Sequence, residues 1–202
     1  MNPYLSFGLA MCVICLIALA GTSYLAVYFN RKAKEDLGRA LSPLAGVLEG
    51  TSDLDEATVS GRYRGHITLA KVTMLPGGMG RVFQIALTDG AGGEKWTWTL
   101  SRSKEPGGES KGVFDNEPAG LWSSGGMVFE ALTNDPALIE GWFRLEYDPA
   151  PGHVQLTRPM HNRRDIPGVE TFTRFLDDLY DLADANRRVQ TASNANERQG
   201  EP

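Results

Sequence analysis

The stretch RVFQIALTDGAGGEKWTWTL, residues 81–100, changes face at every second position. Phe83, Ile85 and Leu87 stand on one side of the first half, and Trp96, Trp98 and Leu100 on one side of the second, with Thr97, Thr99 and Ser101 opposite. Period-two alternation of this kind marks half-buried strands. Between the halves, Gly90-Ala91-Gly92-Gly93 supplies turn chemistry, so the stretch predicts an antiparallel hairpin with one face on a core and one in water. A one-sided sheet needs a second layer, which makes the fold α+β.

Upstream, Ala57, Val59, Gly61 and Tyr63 alternate in the same way, and a second strand, His66 to Met74, follows Gly65. Its apolar set switches from Ile67 and Leu69 to Val72 and Met74, which predicts a bulge near Ala70-Lys71. Leu75 to Gly80 reads as a turn. Downstream, Ser103 to Ala119 is rich in Gly, Lys, Glu and Pro and reads as a long surface loop. Further strands are expected around Leu121 to Ser123 and Met127 to Leu132, then a short helix from Asp135-Pro136 through Ile139. Phe143, Leu145 and Tyr147 pair with Val154 and Leu156 in a second hairpin, joined through Asp148 to Gly152.

From Gly168 to Arg188 the period becomes helical. Val169, Phe172, Phe175, Leu176, Leu179, Leu182 and Ala183 form one stripe, with Asp177, Asp178, Asp181 and Asp184 on the other side. The stripe must be buried, and the open face of the sheet is the available partner. The fold expected is a mostly antiparallel sheet or partly closed barrel of six to eight strands, covered by this C-terminal amphipathic helix. Its barrel version is similar in architecture to pleckstrin-homology-like domains, a likeness that implies no ligand.

No charged residue occurs from Pro3 to Phe29. As a helix this run reaches roughly 40 Å, enough for a hydrocarbon core of about 30 Å. Tyr4, Tyr24 and Tyr28 sit where interfacial aromatics are favoured. A cleaved signal peptide is the competing reading, since Ala18-Leu19-Ala20 precedes Gly21. Against it, Met1-Asn2 carries no positive charge and apolar residues continue to Phe29. Arg31, Lys32, Lys34 and Arg39 follow the run and none precedes it, which predicts an outside N-terminus and a cytoplasmic domain.

The chain then divides into a transmembrane anchor over 1–30, a juxtamembrane helical linker over 31–54, a soluble α+β domain over 55–189 and a disordered tail over 190–202. Within the linker, Ser42-Pro43 reads as an N-cap and first-turn proline restarting a helix. Leu37, Leu41, Leu44 and Leu48 form a seam that either packs on the domain or pairs two copies. It spans under two heptads, which favours intramolecular packing over self-association.

Net charge is -5 with both signs interspersed, so no nucleic-acid partner is expected. Both cysteines, Cys12 and Cys15, lie in the apolar run, where thiolate chemistry is opposed. His66, His153 and His161 show no ligand spacing, and the aspartates of the last helix read as a solvated face, so no metal or cofactor is expected. Neither a nucleophile elbow nor a phosphate-binding loop occurs: residues 106–112 lack the order of a P-loop, and no helix pattern opens after residues 76–80.

One polar cluster stands out, Gly61-Arg62-Tyr63-Arg64-Gly65-His66. If extended, it places Arg62, Arg64 and His66 on one face opposite Tyr63. With Arg31, Lys32 and Lys34, that face is a candidate surface for anionic headgroups or a ligand. The hexapeptide, with the apolar anchor before it and DPALIEGWFRLEY and the terminal helix after it, resembles uncharacterised bacterial single-pass membrane-anchored proteins with a G-x-Y-x-G strand start. That resemblance implies a similar mixed domain and brings no activity.

The function expected is therefore a membrane-anchored, non-enzymatic interaction or sensing module at the cytoplasmic face of a bacterial inner membrane, with the bilayer and a protein as partners. The alternatives are an enzyme with an unrecognised pocket and an envelope-facing ligand-binding domain.

Overall fold

The computed structural model describes residues 3–75, 80–90, 92–102, 110–135 and 142–199. It opens with one long helix, α1 (Pro3–Ala45), whose apolar part is wholly unburied. This is the one described helix long and apolar enough to cross a membrane.

The second half of α1 belongs to the domain. Leu37, Leu41, Leu44 and Leu48, at spacings of four, three and four, are 7% exposed or less and join the main core. The seam packs on the domain within the chain, as its short length favours. Contrary to the expected break at Ser42-Pro43, the helix runs straight through. Pro43 sits in its last turn, where proline forfeits a single hydrogen bond and the leucines on either side hold the backbone.

Eight strands then form one open antiparallel sheet: β1 (Thr51–Asp53), β2 (Thr58–Tyr63), β3 (His66–Met74), β4 (Arg81–Thr88), β5 (Trp96–Arg102), β6 (Ser110–Asp115), β7 (Trp142–Asp148) and β8 (His153–Met160). Their order across the sheet is β1-β2-β3-β4-β8-β7-β5-β6. The first and last strands do not meet, so the barrel alternative is excluded. Thr51–Asp53, expected in the linker, is an edge strand on β2.

The order overturns the hairpin expected over 81–100. β4 pairs with β8 and β5 with β7, so the β7–β8 hairpin lies between the two halves of that stretch. The N–H groups of Asp89 and Gly90 both donate to the carbonyl of Gly152, at 2.7 and 3.0 Å, as the chain leaving β4 crosses the hairpin tip. Gly152 has a φ of 62°, and a methyl group on it would stand 3.3 Å from the Cα of Gly90. These glycines permit a crossing of two backbones, not a tight turn. The alternation fixed which faces are buried; it carries no information about which strand lies alongside.

Three further expectations change. In β3 the register is unbroken, with no bulge: Thr68 and Ala70 face the core while Ile67 and Leu69 face out. Thr68, a polar residue in a buried position, donates its hydroxyl to the His66 carbonyl at 3.2 Å. Residues 110–115, inside the expected loop, are strand β6, whose Gly112 leaves room for the Trp98 indole. The strands expected over 121–132 are one helix, α2 (Leu121–Asn134), which buries Leu121, Gly125, Phe129 and Leu132 at helical spacing. The short helix expected through Ile139 lies outside the described residues.

The last helix, α3 (Val169–Gln199), covers the sheet as expected and continues beyond Arg188 into the segment expected to be disordered. Phe172, Phe175, Leu176, Leu179, Leu182 and Ala183 are each 1% exposed or less. With α2 beside it and the end of α1 on its other flank, α3 closes a single core. An aromatic cluster of Trp96, Trp98, Phe114, Phe129, Phe143 and Tyr147 fills the half under β5, β6 and β7.

Candidate functional site

β2 and β3 are joined by a two-residue turn in which both Arg64 (φ 48°) and Gly65 (φ 86°) have positive φ, the signature of a type I′ hairpin. Tyr63 and His66 are thereby paired across the turn, and Arg62 is paired with Ile67. The turn resets the alternation. Arg62, Arg64 and His66 therefore do not share a face: Tyr63 and His66 both reach α3, whereas Arg62 is exposed beside Ile67 on the open side of the sheet.

On α3 the receiving group is Asp177. Its Oδ1 accepts the Tyr63 hydroxyl at 2.7 Å and lies 2.7 Å from the Arg64 guanidinium. That guanidinium stands over two rings, 5.5 Å from the centroid of Tyr63 and 5.0 Å from that of Tyr180. The edge of His66 meets Tyr180 at 5.4 Å, and its Nδ1 donates to the carbonyl of Thr88 at 2.8 Å. Burial raises the Tyr63 pKa, and the hydrogen bond to Asp177 raises it further by favouring the neutral phenol.

These five side chains fasten the β2–β3 hairpin to α3. None of them lines the three cavities of the domain described below. They also stand far from the apolar run. The Arg62 N–H bonds the carbonyl of Leu48, beyond the far end of α1, whereas the apolar run ends at Phe29. From Phe29 to Ala45 the helix rises roughly 24 Å. The headgroup layer adds only about 5–8 Å to each side of the hydrocarbon. Arg62, Arg64 and His66 thus belong to the end of the domain remote from the apolar run, which removes the geometric basis for joining them to Arg31, Lys32 and Lys34.

The juxtamembrane basic residues divide. Arg31 pairs with Glu35 at 3.3 Å, Lys32 is exposed, and Lys34 lines a groove of about 370 Å³ between α1 and the sheet. Opposite Lys34, this groove holds Met74 and Arg81, which were not apparent as a group because 40 residues of sequence and a strand register separate Lys34 from Met74. A second cavity, about 480 Å³, lies where Glu35 faces Thr51 to Asp55. A third, about 300 Å³, is a shallow site on the open face with Ile67, Leu69, Ala86 and His153.

The acidic side of α3 is not uniformly solvated. Asp177 is engaged as above, Asp184 pairs with Arg188 at 3.3 Å, and Asp178 is half-buried with its pKa raised to about 6, by burial first and by the charge of Asp135 second. Among the described residues no group of three His, Cys, Asp or Glu side chains is placed to hold a metal ion. The chain matches no protein-family model, no curated protein and no solved structure.

Proposed function

We propose that the chain is a single-pass membrane protein whose α+β domain is a non-enzymatic interaction or sensing module at the cytoplasmic face of a bacterial inner membrane. The observation that carries this reading is the continuity of α1: one unbroken helix leads from an apolar, unburied segment to Leu37, Leu41 and Leu44 inside the domain core, with Leu48 joining them just past its end. A helix so built does not tether the domain loosely. It fixes its height and orientation relative to the apolar segment, as suits a module that meets partners near the bilayer.

The basic residues after the apolar run favour a cytoplasmic domain. An interaction role is supported at the far edge of the sheet, where Trp122 is 46% exposed although it stacks on Phe129, and Val113 is 54% exposed on the edge strand. Half-exposed tryptophan is enriched where proteins meet.

The test is topological. A cysteine replaces exposed Ser124, Cys12 and Cys15 become alanine, and cells with a permeabilised outer envelope are treated with a membrane-impermeant maleimide. The expected result is labelling only after the inner membrane is breached. Labelling before that overturns the cytoplasmic assignment, and release of a shortened chain overturns the anchor.

A further inference from the structure

The groove between α1 and the sheet coincides with the place where the apolar helix ends. Asn30, the residue after the last apolar position, lines it together with Lys34, Lys71, Met74 and Arg81. Lys34 lies roughly 7 Å along the helix beyond Phe29, within the depth of about 5–8 Å that headgroups occupy outside the hydrocarbon. Two cations, Lys34 and Arg81, and one carboxylate, Glu56, face this space, whereas Lys71, between core-facing Ala70 and Val72, turns to the open face of the sheet. Among the described residues neither of the two cations is in an ion pair, and both are exposed. Met74, 59% exposed at the same end of β3, adds an apolar side chain at that depth.

We infer that this groove is a binding site for the headgroup of an anionic phospholipid of the same bilayer that α1 enters, its phosphate held by Lys34 and Arg81. The occupant follows from position and charge. A site opening at headgroup depth beside an apolar helix meets lipid phosphates at concentrations that no soluble anion reaches, and the excess of positive charge, Lys34 and Arg81 against Glu56, selects anionic lipids over zwitterionic ones. The inference rests on the anchor part of the proposed function but not on its sidedness, because both leaflets offer headgroups at this depth.

The experiment uses the full chain in nanodiscs of phosphatidylcholine containing a trace of nitroxide-labelled phosphatidylglycerol or nitroxide-labelled phosphatidylcholine. The fraction of motionally restricted label gives the relative affinity for the two headgroups. The expected result is a preference for phosphatidylglycerol that falls by at least fivefold in Lys34→Glu/Arg81→Glu, the order of magnitude that one basic charge contributes at a membrane surface. Arg62→Glu/Arg64→Glu, changed at the remote end, should keep the preference. The near-ultraviolet circular dichroism of each variant must match that of the parent. If it does not for the glutamate pair, Lys34→Gln/Arg81→Gln is read instead, with the same expectation in direction.

An unchanged preference in the groove variants overturns the site. So does a preference abolished by millimolar inorganic phosphate at constant ionic strength, which assigns the groove to a soluble anion. Labelling before the inner membrane is breached leaves these readings intact, whereas release of a shortened chain overturns the inference together with the anchor.

Discussion

Trp96 on β5 donates its indole N–H to the side-chain oxygen of Asn186 on α3 across 2.9 Å, and both residues are fully buried. The other end of the Asn186 amide lies 3.4 Å from Asp89, whose carboxylate meets Arg187 at 2.7 Å. Asp89 begins the chain that crosses from β4 to β5. One polar chain thus fixes the last helix onto the crossing that separates the two halves of the sheet.

Replacing Asn186 by leucine should therefore cost about 2–3 kcal/mol. A buried indole N–H is left without an acceptor, and an unsatisfied buried donor costs about 1–3 kcal/mol, to which the weaker link to Asp89 adds. Urea unfolding of the chain in nanodiscs, followed by tryptophan fluorescence, checks this. A variant within 0.5 kcal/mol of the parent, on the order of an ordinary surface substitution, means that the bond is not made.

The end of α1 depends on a close approach. A methyl group on Gly61 would overlap the carbonyl of Leu48 and stand 2.8 Å from the Cα of Gly50, where the Arg62 N–H bonds Leu48 at 2.6 Å. Gly61→Ala should destabilise by about 1–3 kcal/mol, the range of overpacked sites. Hydrogen exchange in 37–48 should accelerate more than in β7 and β8. Uniform acceleration through all strands would show that the helix end is not a separate contact.

The sequence made the faces legible and left the neighbours obscure. Phe83, Ile85, Leu87, Trp96, Trp98, Leu100, Phe143, Leu145 and Tyr147 are all buried, as their alternation predicts. What alternation cannot carry is the β7–β8 hairpin inserted between β4 and β5, since those pairings are made by residues 41 to 79 positions apart in sequence. Misreading α2 as strands had a different cause. The buried set Leu121, Gly125, Phe129 and Leu132 is helical in spacing, while Trp122 and Met127, inside the expected strands, are 46% and 86% exposed. In the hexapeptide, continuing the strand through Arg64-Gly65 put Arg62, Arg64 and His66 on one side. Two positive φ angles, which Gly65 alone hints at, put Tyr63 and His66 together.

The cover of the sheet can be tested directly. Phe172 and Leu179 are at most 1% exposed, and the Phe172 ring meets Phe83 edge-on at 6.4 Å. Phe172→Asp/Leu179→Asp buries two charges with no partner, each costing several kcal/mol. Against a whole-domain stability of about 5–15 kcal/mol, this should abolish cooperative unfolding and the near-ultraviolet signal of the aromatic cluster. A double variant that melts like the parent would place α3 elsewhere.

Asp178 supplies a pH dependence whose sign can be worked out. Its ordinary pKa of 3.8 is raised to about 6 in the fold, by burial first, then by Asp135, Asp181 and Asp177, with Arg174 opposing. The folded state thus binds this proton more tightly than the unfolded state. Below the unfolded pKa the group is protonated in both states and exerts no penalty. As pH rises from about 4 to 6 the unfolded chain releases the proton first, and stability falls until the folded pKa is passed. Because the carboxylate is partly solvated, screening reduces the full linkage value to about 1 kcal/mol. Asp178→Asn should therefore be more stable than the parent by about that amount at pH 7, with the difference shrinking towards zero near pH 4. Paired urea titrations at the two pH values check this, since contributions from Asp165 and the other carboxylates cancel in the comparison. A constant difference at both pH values would assign the effect of the amide to packing, and a parent more stable than the variant at pH 7 would show that the carboxylate is stabilised by Arg174 more than burial penalises it.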